Sequence, residues 1–211
     1  TMPYGTLGYE MDWEQYFDTY PAGRITMSRT IEAGRTHKLS LYRYQPSGAI
    51  VFGAGTVQWS WGLDETHDGI ATTPSPAMQQ ATVNLFADMG VQPETMHAGL
   101  VAATASSDFT APSSSITSPL HGDSHPANFP ITLTGSASDV DGVVAGVDIS
   151  VDGGTTWEVA SGRTNWTFTF TPEEQGTLTI LSHAFDDSGN IETAGTVPAS
   201  NAIELNITEP V

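Results

Sequence analysis

The feature that most restricts this chain is a series of short segments between residues 113 and 207 in which apolar and polar side chains alternate. Ile131, Leu133 and Gly135 alternate with threonines, and Val147, Ile149 and Val151 with Asp148, Ser150 and Asp152. Trp166, Phe168 and Phe170 alternate with Thr167 and Thr169, and Leu178, Ile180, Ser182 and Ala184 with Thr179, Leu181, His183 and Phe185. Ser113 to Thr117 opens the set, and Ile203, Leu205 and Ile207 close it. Successive side chains of a strand point to opposite faces, so a period of two sends one row to a core and the other toward water. Six or seven such strands, separated by Gly, Pro and Asp turns such as Asp152-Gly153-Gly154, predict a β-sandwich.

The first half reads differently. Arg24 to Thr30 and His37 to Tyr44 have strand patterns, and a Pro46-Ser47-Gly48 turn leads to Ala49-Ile50-Val51-Phe52. Four consecutive apolar residues suggest a strand buried on both faces. Met78, Ala81, Val83, Leu85, Phe86 and Met89 then follow helical spacing. Ser75 stands before them as N-cap, Pro76 in the first turn and Gly90 past the end, which predicts a helix over 76–89. Strand, long loop and helix form a βα unit, so the chain is expected to be mainly β, with a partial α/β segment ahead of the sandwich. Gly99, the alanines after it and the cluster Thr104 to Ser107 mark residues 97–112 as a linker between parts 1–96 and 113–211.

Charge excludes several classes of function. Twenty-four acidic residues against six basic ones give a net charge of -18. Nucleic acid and anionic membranes repel such a surface, and no apolar run approaches the ~20 residues that cross a bilayer. Residues 106–211 hold Arg163 alone against fourteen carboxylates. That half must leave its carboxylates in water or gather some around cations. The chain has no cysteine, so disulfides, thiol nucleophiles and zinc-thiolate sites are ruled out. It opens at Thr1-Met2-Pro3-Tyr4-Gly5 with neither a charged nor an apolar leader, the pattern of a mature or excised fragment.

The loop from Val57 to Pro74 holds Gln58, Trp59, Trp61, Asp64, His67 and Asp68. Either the tryptophans wall a substrate pocket in which His67, with Asp64 or Asp68, serves as base or metal ligand, or they cover the core beside a solvated acidic loop. Stacking of sugar rings on Trp59, Trp61 or Trp157 is a further way to use exposed indoles.

Two stretches carry family resemblances. Gly8-Tyr9-Glu10-Met11-Asp12, Thr36 to Arg43, Ser47 to Asp64 and Met78 to Pro93 resemble the C-terminal part of the N,N-dimethylformamidase beta-subunit-like domain, over roughly residues 4–95. That resemblance implies a glutamine-amidotransferase-like α/β fold and an iron held by tyrosine and glutamate. Tyr9 and Glu10 are the positions that match, and the rest of such a site would come from residues upstream. Val147 to Trp157 and His183 to Glu192 resemble bacterial Ig-like modules, in which Trp157 is a packing residue. Such modules act as spacers and contact surfaces on exported proteins, which implies an extracellular or cell-surface location.

In an Ig-like sandwich the loop between the second and third strands, the loop between the last two strands and the N-terminal lead share one pole. Here these segments supply Asp139 and Asp141, Asp186, Asp187 and Asn190, and Asp108. An oxygen-only cluster of this kind suits Ca²⁺. Three functions therefore stand. The first is a noncatalytic structural and interaction region of an exported multidomain bacterial protein, whose partners are its own upstream domains, other chains or a second copy. The second is part of an amidase-like hydrolase completed upstream, and the third a carbohydrate-binding module.

Overall fold

A computed structural model describes residues 5–7, 11–12, 20–69 and 73–210. The chain is mainly β and divides into two compact units, one running to Ser107 and one from Asp108 onward. The described residues of the stretch Phe17–Ile25 group with the second unit.

The first unit is built on a three-stranded sheet in the order β1 (Ile25–Glu32), β2 (Arg35–Tyr44), β3 (Ala49–Gly53). Ala33 and Gly34 join β1 to β2 and both have positive φ, 48° and 76°, the geometry that matches a two-residue turn to strand twist. β2 and β3 are antiparallel, with Tyr42 opposite Val51. β3 departs from the expectation of burial on both faces. It lies at the edge of the described sheet, Val51 is 38% exposed, and only Ile50 and Phe52 turn toward covered surface. An apolar run specifies a doubly buried strand only where a layer covers each face, and here one face is covered.

The helix α1 (Pro76–Asp88) begins where Ser75 caps it by accepting from the Met78 amide. A short 3-10 turn, Trp59–Gly62, sits against its first turn. The Ser75 amide donates to Gly62 O, Gln79 Nε2 donates to Leu63 O, and Gly62 leaves no room for a Cβ beside the Met78 sulfur. Residues 97–112 contain neither helix nor strand, yet their first part is fastened back onto α1. Gln80 holds both the amide and the carbonyl of Val101, and Asp88 accepts from the Ser106 amide.

The second unit is a two-sheet sandwich. One sheet has the order β4 (Ser113–Ser118), β6 (Ile131–Ser138), β10 (Asn165–Phe170), β9 (Ser161–Gly162). The other runs β5 (Ser124–Pro126), β12 (Ala202–Thr208), β11 (Gly176–Asp186), β7 (Val144–Ser150), β8 (Glu158–Val159). Ile131, Leu133 and Trp166 from the first sheet meet Val147, Ile149, Ile180, Ala184, Ile203 and Leu205 from the second in one core. β6 keeps the expected alternation of buried and outward residues along its whole length. The two-residue strands β8 and β9 and the short β5 escape sequence patterning because they are too brief to show a period.

β11 and β7 break the alternation. From Ile180 to Asp186 every residue of β11 is buried. On the outer face Phe185 lies opposite Gly146, which has no side chain to keep the ring away, and His183 lies opposite Asp148. The ring of Trp157 stacks on His183 at 3.9 Å, and Gly23 (φ 68°) closes against Ile191 and donates its amide to Asp148 Oδ2 at 2.9 Å. Asp148, outward in a simple alternating reading, is therefore 3% exposed. It is buried because chain segments cover the second sheet on its outer side as well.

Candidate functional site

Three loops of the second unit converge at one end of the sandwich. Asp108 lies ahead of β4, Asp139 follows β6, and Asp186 ends β11. One carboxylate oxygen from each lies within 4.8 Å of those of the other two. Asp186 is 0% exposed and fixed by its own turn, its Oδ1 accepting from the amides of Ser188 and Asn190 and its Oδ2 from Asn190 Nδ2 at 2.8 Å. The same Asn190 amide donates to Asp108 O at 3.2 Å, and Asp108 Oδ1 accepts from the Thr110 amide at 2.9 Å.

Asp139 is differently placed. Both of its carboxylate oxygens are sealed from solvent, and neither has a well-formed hydrogen bond among the described residues. Loss of solvent, and then the charges of Asp108 and Asp186, push its carboxyl above the usual range. The backbone amides of Val140 and Asp141 pull the other way without offsetting this.

Asp141 and Asp187 stand outside the trio. Both are exposed; Asp141 accepts from Thr110 Oγ1 at 3.5 Å, and Asp187 Oδ1 from the Val143 amide at 3.3 Å. Of the six residues expected at this pole, Asp108, Asp139 and Asp186 form the centre and Asn190 buttresses it through its nitrogen.

The first unit gathers its candidates less tightly. His67 stacks on Trp61 with ring centroids 4.5 Å apart, and its Nδ1 meets Asp68 O at 2.9 Å. Asp64 accepts from the Thr66 amide at 2.6 Å, the main reason its carboxyl sits below the usual range. Trp59 packs edge-on against Phe52 at 5.2 Å. These indoles thus spend a face or an edge on neighbours in β3 and in the loop itself. Tyr9 and Glu10 lie outside the described residues. The described His, Asp and Glu residues of the first unit form no group of three close enough to hold a metal. His37, fully buried with Nε2 on Ala54 O at 2.9 Å, belongs to the strand pattern and was not foreseeable as a polar core group.

Elsewhere in the sandwich carboxylates fasten turns. Asp152 accepts from Ser150 Oγ, from the amides of Thr155 and Thr156, and from Thr156 Oγ1. Desolvation acts to raise its carboxyl pKa, but the Thr156, Ser150 and Thr155 hydrogen bonds outweigh it and hold the value at about 2. A depressed carboxylate stabilises the fold above its ordinary pKa, and that contribution is lost as pH falls toward 2. Asp152→Asn is therefore expected to lower stability by about 1 kcal/mol at pH 7, a modest figure because the group is exposed. The gap from wild type should narrow in urea titrations as pH falls from 4 toward 2.

The strand order and the three-loop pole are those of an Ig-like sandwich. Residues 112–192 match the family model described as a bacterial Ig domain. Residues 2–75 match the model described as N,N-dimethylformamidase beta subunit-like, C-terminal. An Ig-like unit beside such a segment makes this a structural domain within a multidomain protein. No curated protein matches the chain. Among solved structures, the fibronectin(III)-like modules of CbhA from Clostridium thermocellum are 22% identical, with a TM-score of 0.39 over 51% of this chain and 50% of that one. The chain thus spans half the length of that relative. The PKD domain of an M14-like peptidase from a Thermoplasmatales archaeon is 16% identical, with a TM-score of 0.36 over 47% of this chain and 94% of that one. Domains 4 and 5 of the S-layer protein SbsC are 18% identical, with a TM-score of 0.30 over 51% and 56%. No described helix is long and apolar enough to cross a membrane.

Proposed function

We propose that the chain is a noncatalytic structural and interaction region of an exported multidomain bacterial protein. The observation that carries this reading is how the sandwich uses its polar side chains. Glu192 Oε2 accepts from Ser114 Oγ and the Ala184 amide, and its Oε1 accepts from Asn201 Nδ2. Ser114 in one sheet is also bonded to Ser182 in the other. Asp148 Oδ2 holds both His183 Nε2 and the Gly23 amide. Groups that would serve chemistry in an open cleft here cross-link sheets and turns, as a rigid spacer requires. The acidic surplus and the lack of cysteine suit the extracellular or cell-surface location.

The first unit supplies contact surface. β3 is an edge of the described sheet with Val51 exposed on it, and Met27 and Ile31 are exposed on β1. An open edge with apolar neighbours is a site for pairing with upstream domains, another chain or a second copy. Backbone amides around Val51 are expected to exchange with deuterium faster than those around Ile149, which is 1% exposed. Equal protection at the two places would remove the argument for an incomplete surface.

The match over residues 2–75 favours a second reading, an amidase-like site completed by upstream residues. The two readings separate on activity. The purified chain is expected to show no turnover of dimethylformamide or of a chromogenic ester. Turnover that disappears in His67→Ala or Glu10→Ala would overturn the noncatalytic reading.

A further inference from the structure

We propose that Asp108, Asp139 and Asp186 form a calcium site that locks the end of the Ig-like sandwich. This goes beyond the structural role proposed above and stands or falls separately. Three carboxylates brought within 4.8 Å of one another repel unless a cation or a proton lies between them. Well-formed hydrogen bonds within the pole hold Asp186 and Asp108 Oδ1 but neither oxygen of Asp139. Asp186 is satisfied by its own turn and Asp108 Oδ1 by Thr110, whereas both oxygens of Asp139 are sealed from water without a well-formed donor. Carboxylate oxygens closed off from water without a well-formed hydrogen bond mark a place where a positive group belongs. The described basic side chains supply none to it by hydrogen bond.

The backbone is shaped around the same spot. A Cβ on Gly142 would run into Asp108 Oδ2 and stand 2.8 Å from Asp139 Oδ2, so the loop approaches the carboxylates as closely as only glycine allows. The donors are all oxygens, which selects a hard cation over zinc or copper. Three side chains on three separate loops make an adaptable set with room for carbonyls and water. That suits calcium, which takes 6–8 oxygens in irregular geometry, better than magnesium, which demands a near-ideal octahedron. Binding would tie the lead at Asp108 to the β6–β7 loop and to the turn after β11.

The alternative is a proton held between Asp139 and a neighbour, and the experiment separates the two. The full chain, treated with chelator and dialysed, is titrated with CaCl2 by calorimetry and melted with and without millimolar calcium, with MgCl2 at equal ionic strength as comparison. Calcium is expected to give a saturable one-site isotherm and to raise the melting transition of the second unit by roughly 5 °C. Asp139→Asn should abolish both responses. Asp108→Asn serves the same purpose if the first variant fails to fold. Asp187→Asn changes the charge equally but outside the trio, and should keep both responses. No calcium isotherm and no shift in the wild type would overturn the site in favour of the shared proton. An equal shift with magnesium, or equal loss in Asp187→Asn, would reduce the effect to charge screening and overturn it as well.

Discussion

Trp166→Ala is expected to remove about 3–5 kcal/mol from the second unit. The indole is 1% exposed at the centre of the core, and its Nε1 donates to Ser136 O at 3.2 Å. It lies opposite Gly135 on the neighbouring strand, where any Cβ would meet both the ring and Ser115 O. Ring and glycine are two halves of one packing solution. Gly135→Ala should therefore also be severely destabilising, but through overpacking rather than a cavity. Urea unfolding followed by circular dichroism checks both. If Gly135→Ala left the midpoint unchanged, the close approach of β4, β6 and Trp166 would be wrong.

Asp148→Ala is expected to cost about 3 kcal/mol, for a different reason. The carboxylate Oδ2 is bonded to His183 Nε2 at 3.1 Å and to the Gly23 amide at 2.9 Å, all in a buried setting. Truncation leaves two buried polar groups without a partner, and each such orphan costs about 1–3 kcal/mol. The paired variant Asp148→Leu with His183→Leu removes both ends of the imidazole contact and should be less damaging than Asp148→Ala alone. Chemical denaturation of the wild type, Asp148→Ala, the double variant and the single variants Asp148→Leu and His183→Leu decides it. A double variant as unstable as the sum of the single ones would show that the two side chains act independently.

The sandwich was legible from its alternation because strands such as β6 have one face on the core and one in water. The helix over Pro76–Asp88 was legible because Ser75 and Pro76 mark its start without reference to anything distant. The outer face of β7 and β11 was not legible. Asp148 and His183 occupy positions that a two-layer sandwich leaves wet, and their burial depends on Gly23, which lies 125 residues from Asp148 in sequence. No local pattern carries that information. β3 failed in the opposite direction, since an apolar run does not say how many of its faces are covered.

The acidic pole was half legible. Topology alone brings the three loops together, so Asp108, Asp139 and Asp186 were all nominated. Turn geometry then sorts them from Asp141 and Asp187, whose carboxylates are exposed although they are one or two residues from members of the trio. A single residue along a tight loop reverses the direction of a side chain, and composition cannot resolve that.

The bond between Gly23 and Asp148 bears on how the chain is anchored. The residues from Thr26 to Ser107 leave the sandwich group after Ile25 and rejoin it at Asp108. They therefore form a closed excursion whose two feet stand in the same Ig-like unit. The Gly23 amide on Asp148 and the close approach of Gly23 to Ile191 fix the first of these feet on the outer side of the second sheet. So long as that foot holds, residues 26–107 can loosen without freeing Tyr20–Ile25 from the sandwich.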